Sequence, residues 1–348
     1  MRVVFVTQQV DPGHPALAAT IPKIRALAAQ CEEVVVLADR VIPGALPENC
    51  RSRSFAAQTR AGRGLRFETA LAEELARRPR SGAVLAHMCP IYAVLAAPLA
   101  RPLGVPVVLW FTHWRATRTL QLAERVSTRV VTVDRRSFPL ESSKVEAIGH
   151  GIDLDDFTPA PPPKRDGLRA VALGRYSPAK GLETVIRAVR LACESELDVR
   201  IELYGPALNA AEREHRAGLE RLVSDLDLQK RVALRHAVLR AEVPEVLARA
   251  DLLVNNMEAG APDKVVYEAA AGARPVLASN PVFDELFAGL PVQLAFARDD
   301  PAELARRLAE IASLGPRQRS ELGQELRRRV AERHSVQHWA ERILDAAR

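Results

Sequence analysis

Arg175 and Lys180 stand five positions apart in the segment Gly174-Arg175-Tyr176-Ser177-Pro178-Ala179-Lys180-Gly181, after a β-branched run and ahead of a stretch of helical period. A guanidinium fork and an ammonium at the mouth of a helix suit a diphosphate, and they stabilise the charge that grows on its oxygens as it departs. A second constellation, Lys264-Val265-Val266-Tyr267-Glu268, lies in an Ala-rich helical stretch that follows a Gly/Pro-rich loop and leads on to Gly272 and Val276. A carboxylate accepts sugar hydroxyl hydrogens well, and the free N–H groups at a helix start favour phosphate. Together the two segments have the shape of a nucleotide-sugar site. The plainer alternatives are a solvated Arg and Lys on a strand-to-helix turn, and a Glu268 that caps a helix or pairs on the surface. The chain has six lysines among its 49 basic residues, so Lys180 and Lys264 stand out against an arginine-rich background.

The elements that must carry these residues alternate from end to end. Strand patterns at Val3–Thr7, Glu33–Leu37, Ala83–His87, Pro106–His113 and Arg129–Asp134 are separated by helical ones at Ile21–Ala29, Leu65–Arg78 and Ala93–Arg101. The scheme recurs at Arg169–Leu173, Val199–Tyr204, Val232–Ala237, Asp251–Asn256 and Pro275–Ser279, with helices near 182–194, 210–225, 241–249 and 264–272. Such alternation predicts parallel sheets with helices on both faces. Two series in 348 residues predict two Rossmann-like domains that face each other across an interdomain cleft, where strand carboxyl ends collect ligands. The proline segment Pro159–Gly167 marks the break. The expected domains are 1–158, 159–334 and a C-terminal helix, 335–348, that returns to cover the N-terminal domain.

Composition narrows the partners. With 48% hydrophobic and 26% charged residues the chain reads as an ordinary globular protein, and no apolar run approaches the roughly 20 residues that cross a bilayer. Met1–Thr7 reads as a first strand rather than a secretory signal. Cys31, Cys50, Cys89 and Cys193 are scattered, which fits free thiols in a reducing cytoplasm. The whole +6 charge lies in residues 1–155, which carry 20 basic and 14 acidic residues. An anionic acceptor, or peripheral association with the inner face of an anionic membrane, would use it. The competing explanation is an arginine-biased composition. No interleaved aromatics or recognition motif points to nucleic acid.

The first strand runs into Gln8-Gln9-Val10-Asp11-Pro12-Gly13-His14-Pro15, which is not the GxGxxG of a dinucleotide site, and no P-loop pattern occurs. In order along the chain stand Ile148-Gly149-His150-Gly151-Ile152-Asp153 through Phe157-Thr158-Pro159, then Leu173-Gly174-Arg175 with Lys180-Gly181, then Ala250–Val254 and Glu268 through Pro275-Val276. This series resembles family 4 (group 1) of the retaining glycosyltransferases of GT-B fold. The resemblance implies a hexosyltransferase-type enzyme that moves a sugar from a UDP- or GDP-sugar to a hydroxyl acceptor, a glycan, glycolipid or small molecule. It implies no metal and no other cofactor. It assigns Arg175 and Lys180 to the donor diphosphate, Glu268 to the ribose, and His113 to the donor-sugar wall of the N-terminal domain.

Gly174, Lys264 and Val265 complete the donor-binding set. The first glutamate of the family's EX7E pattern falls on Gly260, with Glu258 and Asp263 as the neighbours that could replace it. Asp11, Gly13 and His14 occupy the first loop, where relatives often carry paired glycines, and an acceptor or phosphate role is the weaker expectation there. His113 could equally be a strand-end residue. No His/Asp/Glu set has metal-ligand spacing, and the two cations can do what Mg²⁺ does elsewhere. The missing glutamate keeps two alternatives open, a non-catalytic nucleotide-sugar-binding protein and an epimerase on the same fold.

Overall fold

A computed structural model describes residues 1–14, 17–161 and 166–348, so 162–165 of the proline segment and Pro15 of the first loop lie outside the described residues. The chain divides into two compact units, Met1–Asp153 with Arg333–Arg348, and Leu154–Glu332. In the first unit the strands are β1 (Arg2–Val10), β2 (Glu33–Val41), β3 (Cys50–Ser54), β4 (Ala83–His87), β5 (Val107–Trp110), β6 (Arg129–Thr132) and β7 (Val145–Ala147). Among the described residues they form one parallel sheet in the order β3-β2-β1-β4-β5-β6-β7. Val3 to Val6 and Val34 to Leu37 are fully buried, as expected where helices cover both faces of a parallel sheet.

The helices of this unit are α1 (Thr20–Ala28), α2 (Arg60–Ala76), α3 (Pro90–Ala100) and α4 (Arg118–Val126). Thr59 and Thr117 cap α2 and α4 by accepting the N–H groups of Gly62 and Leu120. Phe55, Phe67 and Tyr92 pack together between α2, α3 and the sheet, with ring centroids 4.8–5.7 Å apart. The strand order reverses between β1 and β4, so the carboxyl ends of these two strands form a topological switch point.

The second unit holds β8 (Leu168–Leu173), β9 (Val199–Tyr204), β10 (Val232–Arg235), β11 (Leu252–Asn255) and β12 (Val276–Ala278), parallel and in the order β10-β9-β8-β11-β12. Its helices are α5 (Leu182–Glu194), α6 (Ala210–Asp225), α7 (Val243–Arg249), α8 (Lys264–Ala271), α9 (Asp284–Phe287), α10 (Pro301–Ser313) and α11 (Pro316–His334). Here the order reverses between β8 and β11, the two strands that lead into the segments with candidate chemistry.

The last helix, α12 (Val336–Ala346), packs on α1 of the first unit. Trp339 is fully buried, edge-on to Trp110 at 5.6 Å, and the Lys23 ammonium lies 4.4 Å from the Trp110 ring centre and 5.1 Å from that of Trp339. The Ile148–Asp153 motif serves this junction. Ile152 pairs its backbone with His334 and Val336, and a Cβ on Gly149 would meet the Arg333 carbonyl oxygen at 1.8 Å. Among the described residues no helix is long and apolar enough to cross a membrane.

Candidate functional site

β8 delivers the chain to Gly174, whose φ of +148° no L side chain adopts comfortably. A Cβ there would stand 2.5 Å from Lys180 Cε, so the lysine lies directly across the glycine. The turn closes through a 3-10 segment, Pro178–Lys180, and Gly181 at φ +53° opens α5. Gly181 also receives the Asn256 amide on its carbonyl at 2.8 Å, which ties this turn to the end of β11. Lys180 is largely covered and forms an ion pair with Asp263. Asp263 also accepts the Asn255 amide at 2.8 Å. Although it sits at the cap position of α8, where a helix leaves N–H groups without an intrahelical partner, its carboxylate makes no capping bond there.

Arg175 is half exposed and pairs with the buried Glu212 of α6. Burial pushes the Glu212 carboxyl up, but the Leu208 N–H, 2.7 Å away, and the Arg175 guanidinium outweigh it and hold the group below the usual carboxylate range. Arg175 thus has its fork oriented by one carboxylate while half of the side chain stays exposed. Glu212 gave no sequence signal, because a glutamate in the first turn of a helix reads as ordinary dipole pairing.

Glu268 is buried in α8, and its Oε1 is gripped by Lys264 at 2.8 Å and Arg240 at 2.7 Å. Burial raises its pKa, yet the two cations prevail and keep it ionised, below the ordinary value. Burial also depresses the Lys264 ammonium, against the attraction of Glu268. Arg240 lies 5.2 Å over the ring of Phe157, and the Phe157 carbonyl accepts Arg327 Nη1 at 2.6 Å. The Phe157 of the crossing motif is therefore the floor under the arginine that holds Glu268. Sequence reasoning missed Arg240, which precedes a helix in a segment without a motif.

The loop from Met257 to Asp263 is pinned from three sides. Glu258 N–H donates to the Ala179 carbonyl at 3.0 Å, Ser279 Oγ to Met257, and the buried Asn280 amide reaches the carbonyls of Glu258 and Gly260 at 3.4 Å. Gly260 takes φ +133°. Of the two candidate replacements for the missing glutamate, Asp263 is engaged by Lys180 and Asn255, whereas the Glu258 side chain is exposed with no partner among the described residues.

In the first unit His113 is exposed, stacked on Trp114 with centroids 5.4 Å apart, and its Nδ1 accepts the Arg115 N–H at 3.0 Å. It lines a cavity of 790 Å³ beyond the carboxyl ends of β1, β2, β4 and β5, with Gln8, Asp39 and Met88. The first loop folds on itself: Asp11 Oδ1 accepts Gly13 N–H at 2.9 Å and His14 Nδ1 accepts Leu17 N–H at 3.0 Å, so both side chains shape the turn. Between residues 51 and 80, Arg51, Arg53, Arg63 and Arg77 are paired with acids. Arg51 pairs with Glu33 and Glu74 at 2.6 Å each, Arg53 with Glu73 at 2.7 Å, and Arg77 lies 4.0 Å from Glu74. Among the described residues no group of His, Cys, Asp and Glu is placed to hold a metal ion.

Residues 167–313 match the family model described as glycosyl transferases group 1. Three solved structures align over nearly the whole chain. HepE from Anabaena, in complex with UDP and glucose, gives a TM-score of 0.77 at 17% identity, covering 99% of this chain and 98% of that one. Sucrose-phosphate synthase from Thermosynechococcus elongatus gives 0.74 at 16%, covering 99% and 97%. The E. coli trehalose-6-phosphate protein bound with UDP-2-fluoro glucose gives 0.72 at 13%, covering 100% and 99%. At such identities the likeness is one of fold, and the fold is GT-B, an α/β pair of parallel-sheet domains. No curated protein matches the chain by sequence.

Proposed function

We propose that the chain transfers a hexosyl group from a nucleoside diphosphate sugar to a hydroxyl acceptor, with retention of configuration and without a metal ion. The observation that carries this reading is Lys180 lying over Gly174, tied through Asp263 to the start of α8, where the Asp263 carboxylate makes no capping bond. An ammonium, a guanidinium and a helix start in one unit, at its topological switch point, are suited to a diphosphate. Glu268, kept ionised by Lys264 and Arg240, offers its remaining lone pairs to ribose hydroxyls. The match of residues 167–313 to group 1 glycosyl transferases supports the same reading, and HepE, solved with UDP, favours uridine as the base.

In the transfer, the bond from the anomeric carbon to the diphosphate breaks and the diphosphate leaves with the electron pair. Arg175 and Lys180 meet the charge that develops on it. The acceptor hydroxyl bonds to the same face of the sugar and yields its proton to the departing phosphate oxygen. Incubation with UDP-, GDP- and ADP-sugars in the presence of EDTA tests this, with thermal stabilisation and slow release of nucleoside diphosphate as the readouts. One donor should stabilise the protein and be slowly hydrolysed, and NMR of the first product should show the retained anomer. No response to any donor, strict metal dependence, or an inverted anomer would overturn it. Gly260, in place of a family glutamate, favours a second reading, a protein that binds a nucleotide-sugar and transfers nothing. Stabilisation by a donor without turnover under any acceptor would select it.

A further inference from the structure

Lys180 and Asp263 meet from segments 83 positions apart, and the carboxylate of this pair has a second place to bond. The Lys180 side chain is 16% exposed and that of Asp263 20%, so the pair is mostly shielded from solvent. A Cβ on Gly174 would stand 2.7 Å from Lys180 Nζ itself, which fixes the ammonium at the end of β8.

Asp263 also comes with a holder. Asn255, buried at the end of β11, donates its amide to Oδ2, the same oxygen that takes the lysine. The Asn255 Oδ1 is buried with no hydrogen-bond partner among the described residues. An amide turned this way leaves a buried acceptor unsatisfied, which costs stability, and what it gains is a grip on the carboxylate. The second place to bond lies in the backbone. Asp263 precedes α8 at φ −78° and ψ 120°, the extended conformation of a capping residue, yet its carboxylate makes no capping bond. One carboxylate therefore stands between two sets of donors, the ammonium and amide that it accepts from and the helix start that it leaves alone.

A diphosphate at Lys180 calls on the same ammonium. A carboxylate kept there cancels the charge of the lysine and lies close to the phosphate oxygens, and like charges at such range repel. The start of α8 gives a displaced carboxylate N–H groups to accept from, so the exchange strands neither anion. We infer that Asp263 is a positioning residue that competes with the diphosphate for Lys180. The donor drives it from the ammonium towards the first N–H groups of α8, and it reclaims the ammonium as the nucleoside diphosphate leaves. The product is held less tightly for it and departs faster, and product release is a step that limits many enzymes. This role rests on the transfer reading, which puts the diphosphate at Lys180, and adds to it the group that sets the diphosphate's affinity.

Titrations with inorganic pyrophosphate, UDP and GDP test it on the wild type, Asp263→Asn, Lys180→Met and the double variant, with dissociation rates followed by stopped flow. Asp263→Asn keeps the shape and removes the charge. It should tighten binding of the diphosphates roughly tenfold and slow their release by a similar factor, the scale of one charged contact. Asp263→Ser, which can still cap α8, should act in the same direction and serves if the Asn variant folds poorly. In the Lys180→Met background Asp263→Asn should change affinity by about threefold or less, because no ammonium is left to compete for. Simple repulsion between Asp263 and the ligand would instead show equally in both backgrounds. Unchanged or weaker binding in Asp263→Asn and Asp263→Ser, or equal tightening with and without the lysine, would overturn the inference and leave the transfer reading standing. If no probe binds the wild type or any variant, and no donor is hydrolysed, the transfer reading falls and this role falls with it.

Discussion

Lys180 lies so close over Gly174 that a single methyl group on the glycine would meet the lysine Cε at 2.5 Å. The two residues are therefore one device. The glycine supplies a backbone turn at φ +148° and an open face, and the lysine uses that face to bring its ammonium beside Asp263. A strand-end glycine followed six residues later by a lysine is legible in the sequence. That the first exists to make room for the second is visible only in three dimensions.

Lys180→Ala should lower turnover on the order of a hundredfold or more, because a charge-assisted contact to a developing anion is worth about 2.7–4 kcal/mol in the barrier. Gly174→Ala should do nearly as much damage without removing any charge, by pushing Lys180 aside. EDTA should leave both wild-type and variant rates unchanged. Steady-state kinetics with the preferred donor decides the matter, and a fully active Lys180→Ala protein would show that the diphosphate is held elsewhere.

Glu268 and Arg240 form a buried pair, and removing one partner strands the charge of the other. Glu268→Ala should cost about 3–5 kcal/mol of stability and weaken UDP binding as well. Glu268→Gln keeps the shape and an acceptor and should be milder in both. The Glu268→Leu/Arg240→Leu double variant should be more stable than Glu268→Leu alone. Urea unfolding and UDP titration on the same proteins separate the two effects. A Glu268→Ala protein with intact UDP affinity would move the ribose contact to another residue.

The parts of the fold that the sequence displayed are those with strong periodicity. β4 and β9 fall at the residues predicted, as do α5 and α6, since each has an apolar face or run of full length. The missed elements have a physical reason. β3, Cys-Arg-Ser-Arg-Ser, is a half-exposed edge strand whose side chains pair with Glu33 and Glu74 instead of entering a core. β7 is a three-residue edge, and α4 buries only Leu120 and Ala123. Of the candidate site residues, Arg175, Lys180 and Glu268 are singled out in the sequence by type and spacing. Glu212, Asn255 and Arg240 are not, because each acts by reaching a residue distant in sequence, and no local pattern records that.

Gly260 and Glu258 make the donor-sugar contact testable. At φ +133° a glutamate substituted for Gly260 would be strained by roughly 1–3 kcal/mol, so Gly260→Glu should destabilise the protein and raise no activity. Glu258 is tethered through its backbone to Ala179 while its carboxylate stays open. Glu258→Gln should raise the donor KM about tenfold, the scale of one lost charged hydrogen bond, and leave UDP affinity as it was. An equal loss for UDP and donor would show that Glu258 does not read the sugar.

His334 and His87 should make the first unit labile to acid. Burial holds the His334 imidazole down to about 3, with the like charges of Arg333 and His338 adding to it. Burial likewise pushes His87 well below its usual range, and the Lys23 ammonium adds to that. His334 Nδ1 accepts the His150 N–H at 3.2 Å, which requires a free lone pair on that nitrogen. An unfolded chain takes up a proton on each ring near the ordinary value of 6.5, and the folded chain takes up neither. The stabilisation is therefore complete above that value and is lost as pH falls towards the folded pKa. Each ring contributes a slope of about 1.4 kcal/mol per pH unit in that window. Urea unfolding at about pH 7.5 and about pH 5 should show the wild type losing roughly 2 kcal/mol more than His334→Gln, and a similar amount more than His87→Phe. If all three proteins lose the same stability between those two conditions, the acid sensitivity lies in other groups and the two buried rings are not its source.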